Sequence, residues 1–167
     1  MKKLNLRDLN LSQNDINKFV NSSKDVEHDS ILFIDNLNVE KLNKYVKDAL
    51  TKNVKKILTS EKCNINNEKI LKVSNYEEVL NQAYNFICPD YEKKTYFGIT
   101  GTNGKTTTGY YLEQILGNNT IFIGTNNENL FQDITNERHL TSPKLFNILK
   151  FLSKLKNKNY ENIILEA

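Results

Sequence analysis

The chain has 167 residues, 38% hydrophobic and 26% charged, and its 23 basic and 20 acidic side chains leave a net charge of +3. That length holds about one domain, or one and part of a second. The near-balanced charge, with no basic stripe interleaved with aromatics, excludes nucleic acid as an expected partner, and no stretch approaches the ~20 apolar residues of a membrane span.

The start, "MKKLNLRDLNL", carries charge but no apolar core of signal-peptide length. Next, "SILFID" predicts a strand, and Leu42, Tyr45, Val46, Ala49 and Leu50 form a helical stripe. "KKILTS" and "KILKVS" predict short strands. Tyr76, Val79, Leu80, Ala83, Phe86 and Ile87 form a second helical stripe. This βαββα order suits a small α/β domain. "CPDYEKK", Cys88 to Lys94, combines proline with charge and reads as a linker. The expected division is therefore 1–90 and 91–167. Cys63 and Cys88 are far apart and form no metal motif, so a reduced, cytoplasmic setting is expected.

The most informative stretch is "YFGITGTNGKTTTGYYLEQIL", Tyr96 to Leu116. Tyr96, Phe97 and Ile99 predict a short buried strand. Thr108, Tyr111, Leu112, Ile115 and Leu116 predict the apolar face of a helix. Gly98, Gly101 and Gly104 are expected between the two. Glycine permits positive φ and lets the backbone approach a ligand. A helix N-terminus adds unpaired N–H groups and the positive end of a dipole, which together bind phosphate. Lys105 can reach a β/γ-phosphate, and the Thr106 hydroxyl can bind Mg2+. The strict P-loop pattern needs glycine at position 99, where this chain has Ile99, so G-x-x-G-x-x-G-K-T is a variant of it.

"HLTSPKLFNILKFL" predicts a helix with Ser142 as cap and Pro143 as first residue, burying Leu145, Ile148, Leu149, Leu152 and Leu155. "NIILEA" predicts a buried strand, Asn162 to Leu165, with Glu166 at its carboxyl end. Ligands of open α/β sheets bind there. The fold class expected is α/β: a small N-terminal α/β domain, then the start of a P-loop-type parallel-sheet ATP-binding domain.

"GITGTNGKTTT" resembles the ATP loop of the Mur ligases, enzymes that build the peptidoglycan stem peptide. Folylpolyglutamate synthases are relatives, but carry Gly-Ser where this chain has Thr106-Thr107. Asn103 favours the branches adding the second or third amino acid. Thr141-Ser142-Pro143 resembles the T-T-P motif of the third-residue branch, with serine in the second place.

The resemblance implies ATP held by Gly101, Thr102, Asn103, Gly104, Lys105, Thr106 and Thr107, with Lys105 catalytic. It implies Mg2+ at Thr106 and Glu166, and a UDP-muramoyl substrate at Thr141 and Ser142. In the first domain, "NSSKDVEHDSILF" places Ser23-Lys24 where the family has the Ser-Arg of a uridine motif, which makes Ser23 a candidate contact. The G-x-x-x-D-G-H segment of that domain is absent, so the domain looks trimmed.

The implied activity is addition of a diamino acid to UDP-N-acetylmuramoyl-dipeptide by a monomeric ligase. The family's metal-binding carbamylated lysine and its C-terminal ligase domain have no counterpart in these residues, so the isolated chain is expected to be an incomplete, inactive enzyme. Read from the residues alone, the loop also suits another P-loop NTPase or kinase, or a non-catalytic nucleotide-binding remnant.

Overall fold

The computed structural model describes residues 3–124, 144–155 and 160–166. The chain divides into two compact units, Met1–Phe86 and Ile87–Ala167. The division falls just ahead of the Cys88–Lys94 segment.

In the first unit, short 3-10 turns at Leu6–Leu9 and Gln13–Lys18 lead into β1 (Phe19–Val20). There follow β2 (Ile31–Phe33), α1 (Val39–Thr51), β3 (Lys56–Ser60), β4 (Ile70–Val73) and α2 (Tyr76–Ile87). The sheet order is β1-β2-β3-β4, parallel throughout. A parallel sheet covered on both faces needs strands that are apolar on both faces, and β2 is buried at every position. Helix α1 begins where the Asn38 side chain accepts from Lys41 N, which satisfies one orphan donor. It buries Leu42, Val46 and Ala49 against Leu32, Val54 and Ile57. Phe19 packs its ring on Phe33 at 5.2 Å and on Phe86 at 6.0 Å.

Among the described residues, the Thr59 hydroxyl in β3 is buried without a hydrogen-bond partner. A buried hydroxyl left unpaired costs about 1–3 kcal/mol. Thr59→Val keeps the branched shape and removes that cost. Its expected outcome is a gain of up to about 1 kcal/mol, read from the urea midpoint at unchanged slope.

The second unit contains β5 (Thr95–Ile99), α3 (Lys105–Leu116), β6 (Thr120–Ile123), α4 (Leu145–Lys154) and β7 (Asn162–Glu166). Its sheet order is β5-β7-β6, again parallel, so the last strand enters between the first two. Ile163 and Ile164 of this central strand are wholly buried.

Two sequence expectations are corrected here. Strand β5 is not buried: Tyr96 is exposed, and Phe97 and Ile99 are only half-buried, because β5 is an edge strand of the described sheet. Nor is the predicted stripe of α3 its buried face, since Tyr111 is 61% and Ile115 79% exposed. The helix meets the sheet through Gly109, its one buried residue, and this turns the large apolar side chains outward. Helix α4 is buried at Phe146, Ile148, Leu149, Phe151 and Leu152. It opens at Leu145 with Lys144 at its N-cap. The expected cap at Ser142, with Thr141 and Pro143, lies outside the described residues.

Candidate nucleotide site and its relatives

The register brings three strand ends together. Ile99 of β5 pairs with Glu166 of β7, and Ile123 of β6 pairs with Leu165. Glu166 thus stands at the carboxyl end of the central strand, between the loop after β5 and Gly124 after β6. In a parallel sheet whose chain order reverses, this is the crevice that takes ligands.

The loop from Thr100 to Gly104 carries the chain from β5 into α3. Gly101 has φ of 151° and Gly104, the N-cap of α3, has φ of 76°. A side chain at either position would be strained. Gly98 differs, because it lies inside β5, paired with Leu165, rather than in the loop. No side chain caps α3, so no cap bond occupies the first-turn N–H groups. Asn103 and Thr102 sit on the exposed loop, and Thr107 is exposed on the first turn.

Two side chains close over this turn. Lys105 Nζ donates to the Gly101 carbonyl at 2.9 Å. Thr106 Oγ1 donates to Glu166 Oε1 at 2.8 Å, across 60 residues of sequence. Gly101, Gly104, Lys105, Thr106 and Glu166 are therefore brought to one place.

Residues that could hold Mg2+ are present in part. Among the described residues no group of three or more His, Cys, Asp or Glu side chains could hold a metal. A hydroxyl and a carboxylate in contact at a helix N-terminus do fit Mg2+, which takes one or two protein ligands and completes its shell with waters and phosphates. Space is kept for that carboxylate, since a Cβ on Gly124 would stand 2.7 Å from Glu166 Oε2.

The first unit has a concavity of its own, a cleft of about 420 Å³ lined in part by Asn21, Phe33, Asp35, Lys62, Tyr76 and Tyr84. Asp35 Oδ1 accepts from Ser60 Oγ at 2.6 Å and from Asn36 N at 2.8 Å, and Lys62 lies 3.5 Å from Oδ2. Burial pushes the Tyr76 hydroxyl up, so it stays a neutral donor. Ser23 does not line this cleft: it is buried, and its carbonyl accepts from Lys52 Nζ. Sequence reasoning missed the cleft because its residues come from four separated segments with no local pattern.

Residues 99–167 match the Mur ligase middle domain. Over these residues the chain is similar to the Mur ligases. It is 29% identical over 134 residues to a UDP-N-acetylmuramoyl-L-alanyl-D-glutamate–2,6-diaminopimelate ligase of Rickettsia montanensis, covering 75% of this chain and 27% of that one. The enzyme of the same name from Rickettsia conorii is 29% identical over 170 residues, covering 98% and 35%. A solved structure of such a ligase superposes with a TM-score of 0.54 at 15% identity, over 89% of this chain and 31% of that one. The chain thus spans about a third of the length of the curated ligases it matches.

Proposed function

We propose that this chain is the N-terminal part of an ATP-dependent ligase that adds a diamino acid to UDP-N-acetylmuramoyl-dipeptide in peptidoglycan synthesis, acting in the cytoplasm. The observation that carries the reading is the Thr106–Glu166 hydrogen bond beside the uncapped N-terminus of α3. It joins the hydroxyl and the carboxylate that the family uses toward Mg2+, on a chain whose named relatives are ligases of this kind.

In this reading the N–H groups of Gly101 to Thr107 hold the ATP phosphates. Lys105 leaves the Gly101 carbonyl and turns onto the transferred phosphoryl group. When bound, Mg2+ supplies charge neutralisation on the phosphates. Thr106 and Glu166 are the residues that would hold it. The substrate carboxylate attacks the γ-phosphate, breaking its bond to the β-phosphate oxygen and releasing ADP, to give an acyl phosphate; the amine of the diamino acid then adds to the carbonyl, loses a proton and expels phosphate. The chain's contribution is positioning and electrostatic stabilisation.

The first unit is proposed to take the uridine end of the substrate. Its cleft offers aromatic walls at Phe33 and Tyr76, a carboxylate at Asp35 that suits a base N–H, and a cation at Lys62 that suits a phosphate. Burial of Ser23 favours these residues over it.

The direct test is isothermal titration of the chain with ATP and ADP, with and without Mg2+. Weak, Mg2+-dependent binding is expected. Binding indifferent to Lys105→Ala and to Mg2+ would sink the reading. A second expectation concerns Thr141 and Ser142. Thr141→Val with Ser142→Ala weakens UDP-muramoyl-dipeptide binding more than ATP binding. Equal weakening of both ligands would leave the pair without a substrate role.

A further inference from the structure

Phe122, near the end of β6, is 1% exposed, and its ring lies between two glycines. A Cβ added to Gly109 on α3 would stand 2.5 Å from Cε2 and Cζ of the ring. One added to Gly124 would stand 2.5 Å from Cζ. Neither glycine has positive φ, so backbone conformation does not demand glycine at either place. Space does.

The two differ in one respect. The three atoms nearest a Cβ on Gly109 all belong to the ring, whereas a Cβ on Gly124 would also meet Glu166 Oε2 at 2.7 Å. The other oxygen of that carboxylate takes the Thr106 hydroxyl. A methyl group at position 124 therefore collides both with a ring packed in the core and with a carboxylate at the end of a flexible side chain. The ring collision is shared with Gly109→Ala, and packing resists it; displacement of the flexible carboxylate is what Gly124→Ala adds.

We infer that Gly124 is a positioning residue, whose missing side chain seats the Glu166 carboxylate against Thr106 in the phosphate site. The inference rests on the phosphate-site reading above for its function, but its geometry can be tested without nucleotide. Glu166 would be a direct ligand or would orient Thr106; in both roles its placement passes through Gly124. Outer partners of this kind typically change metal affinity about 10- to 100-fold when altered.

The experiment uses the full chain and four variants: Gly124→Ala, Gly109→Ala, Thr106→Val, and Gly124→Ala with Thr106→Val. In thermal unfolding, the costs of Gly124→Ala and Thr106→Val are expected to be non-additive, because the second removes a hydrogen bond the first has already broken. Additive costs would overturn the inference.

In titration with ADP, Gly124→Ala is expected to lose about 10-fold or more of the tightening that Mg2+ gives the wild type. Gly109→Ala, with the same ring collision, keeps it. Full Mg2+ dependence in Gly124→Ala would overturn the inference. Non-additive unfolding in a wild-type chain with no Mg2+-dependent nucleotide affinity supports the positioning role and sinks the phosphate-site reading instead. If Gly124→Ala unfolds, Gly124→Ala with Phe122→Leu removes the ring end. Stability recovered without recovered Mg2+ dependence is the expected result, and recovery of both overturns the inference.

Discussion

Lys105→Ala is expected to lower ATP-dependent ligation by about 100-fold or more, the usual effect of deleting one electrostatic group aimed at a transferred phosphoryl. The measurement uses this chain joined in frame to the remaining two-thirds of a Rickettsia ligase, with phosphate release followed in the presence of UDP-muramoyl-dipeptide, a diamino acid and Mg-ATP. The side chain is well placed for such a loss. It now donates to the Gly101 carbonyl at 2.9 Å, within the same turn that presents the helix N–H groups. Exchanging that carbonyl for a phosphate oxygen needs only side-chain rotation. Folding should be almost untouched, because the bond lost is exposed. Wild-type turnover in the variant would remove Lys105 from the mechanism.

Asp15→Asn is expected to destabilise the first unit by about 2 kcal/mol at pH 7, the cost of a native carboxylate whose pKa lies roughly two units below its unfolded value. Asp15 is 8% exposed, and its pKa is lowered from 3.8 to about 2. The chief cause is the Ser12 backbone N–H donating to Oδ2 at 2.9 Å; burial opposes it, and the Ser12 hydroxyl and Lys55 reinforce it. A depressed carboxylate pKa gives stability that is fully present above the unfolded value and lost as pH falls through the folded one. The wild-type advantage should therefore hold from pH 7 to about 4 and vanish between about 4 and 2. Amide hydrogen exchange at Leu32 and Ile57 reads this unit separately from the other. A gap between wild type and variant that persists unchanged at pH 2 would show that the charge of Asp15 contributes nothing. The exposed Lys18–Asp29 pair beside it, 3.1 Å apart, is expected to matter far less.

The candidate phosphate site has an economy that bears on both its stability and its proposed chemistry. Its lysine, threonine and glutamate are hydrogen-bonded to the chain itself, so no charged group waits unsatisfied. Ligand binding would exchange these bonds for others of the same kind. The backbone N–H groups of the first turn of α3 lack a capping side chain, and such groups are what a phosphate needs.

Much of this protein was legible in its sequence. The stripe of α1 was, because Leu42, Val46 and Ala49 recur at helical spacing and that face is the one covered. So were strand β7 and the place of Glu166 at its end, because a short apolar run closed by a carboxylate reads the same in any context. The turn ahead of Lys105 was legible too, since glycines at 101 and 104 answer to backbone conformation, which is local.

Tertiary structure decided the rest. Periodicity records which face of a helix is apolar, not which face meets the sheet. Helix α3 turns Gly109 rather than Tyr111 and Ile115 inward, because Phe122 on a different strand claims the space. The order β5-β7-β6 joins residues some 60 positions apart, and no local signal encodes that pairing. The cleft of the first unit and the role of Gly124 depend on the same kind of distant meeting. The sequence determined the chemistry of the candidate site residue by residue; only chain packing determined that Thr106 and Glu166 would touch, because contact between distant segments is set by what the intervening strands and helices bury.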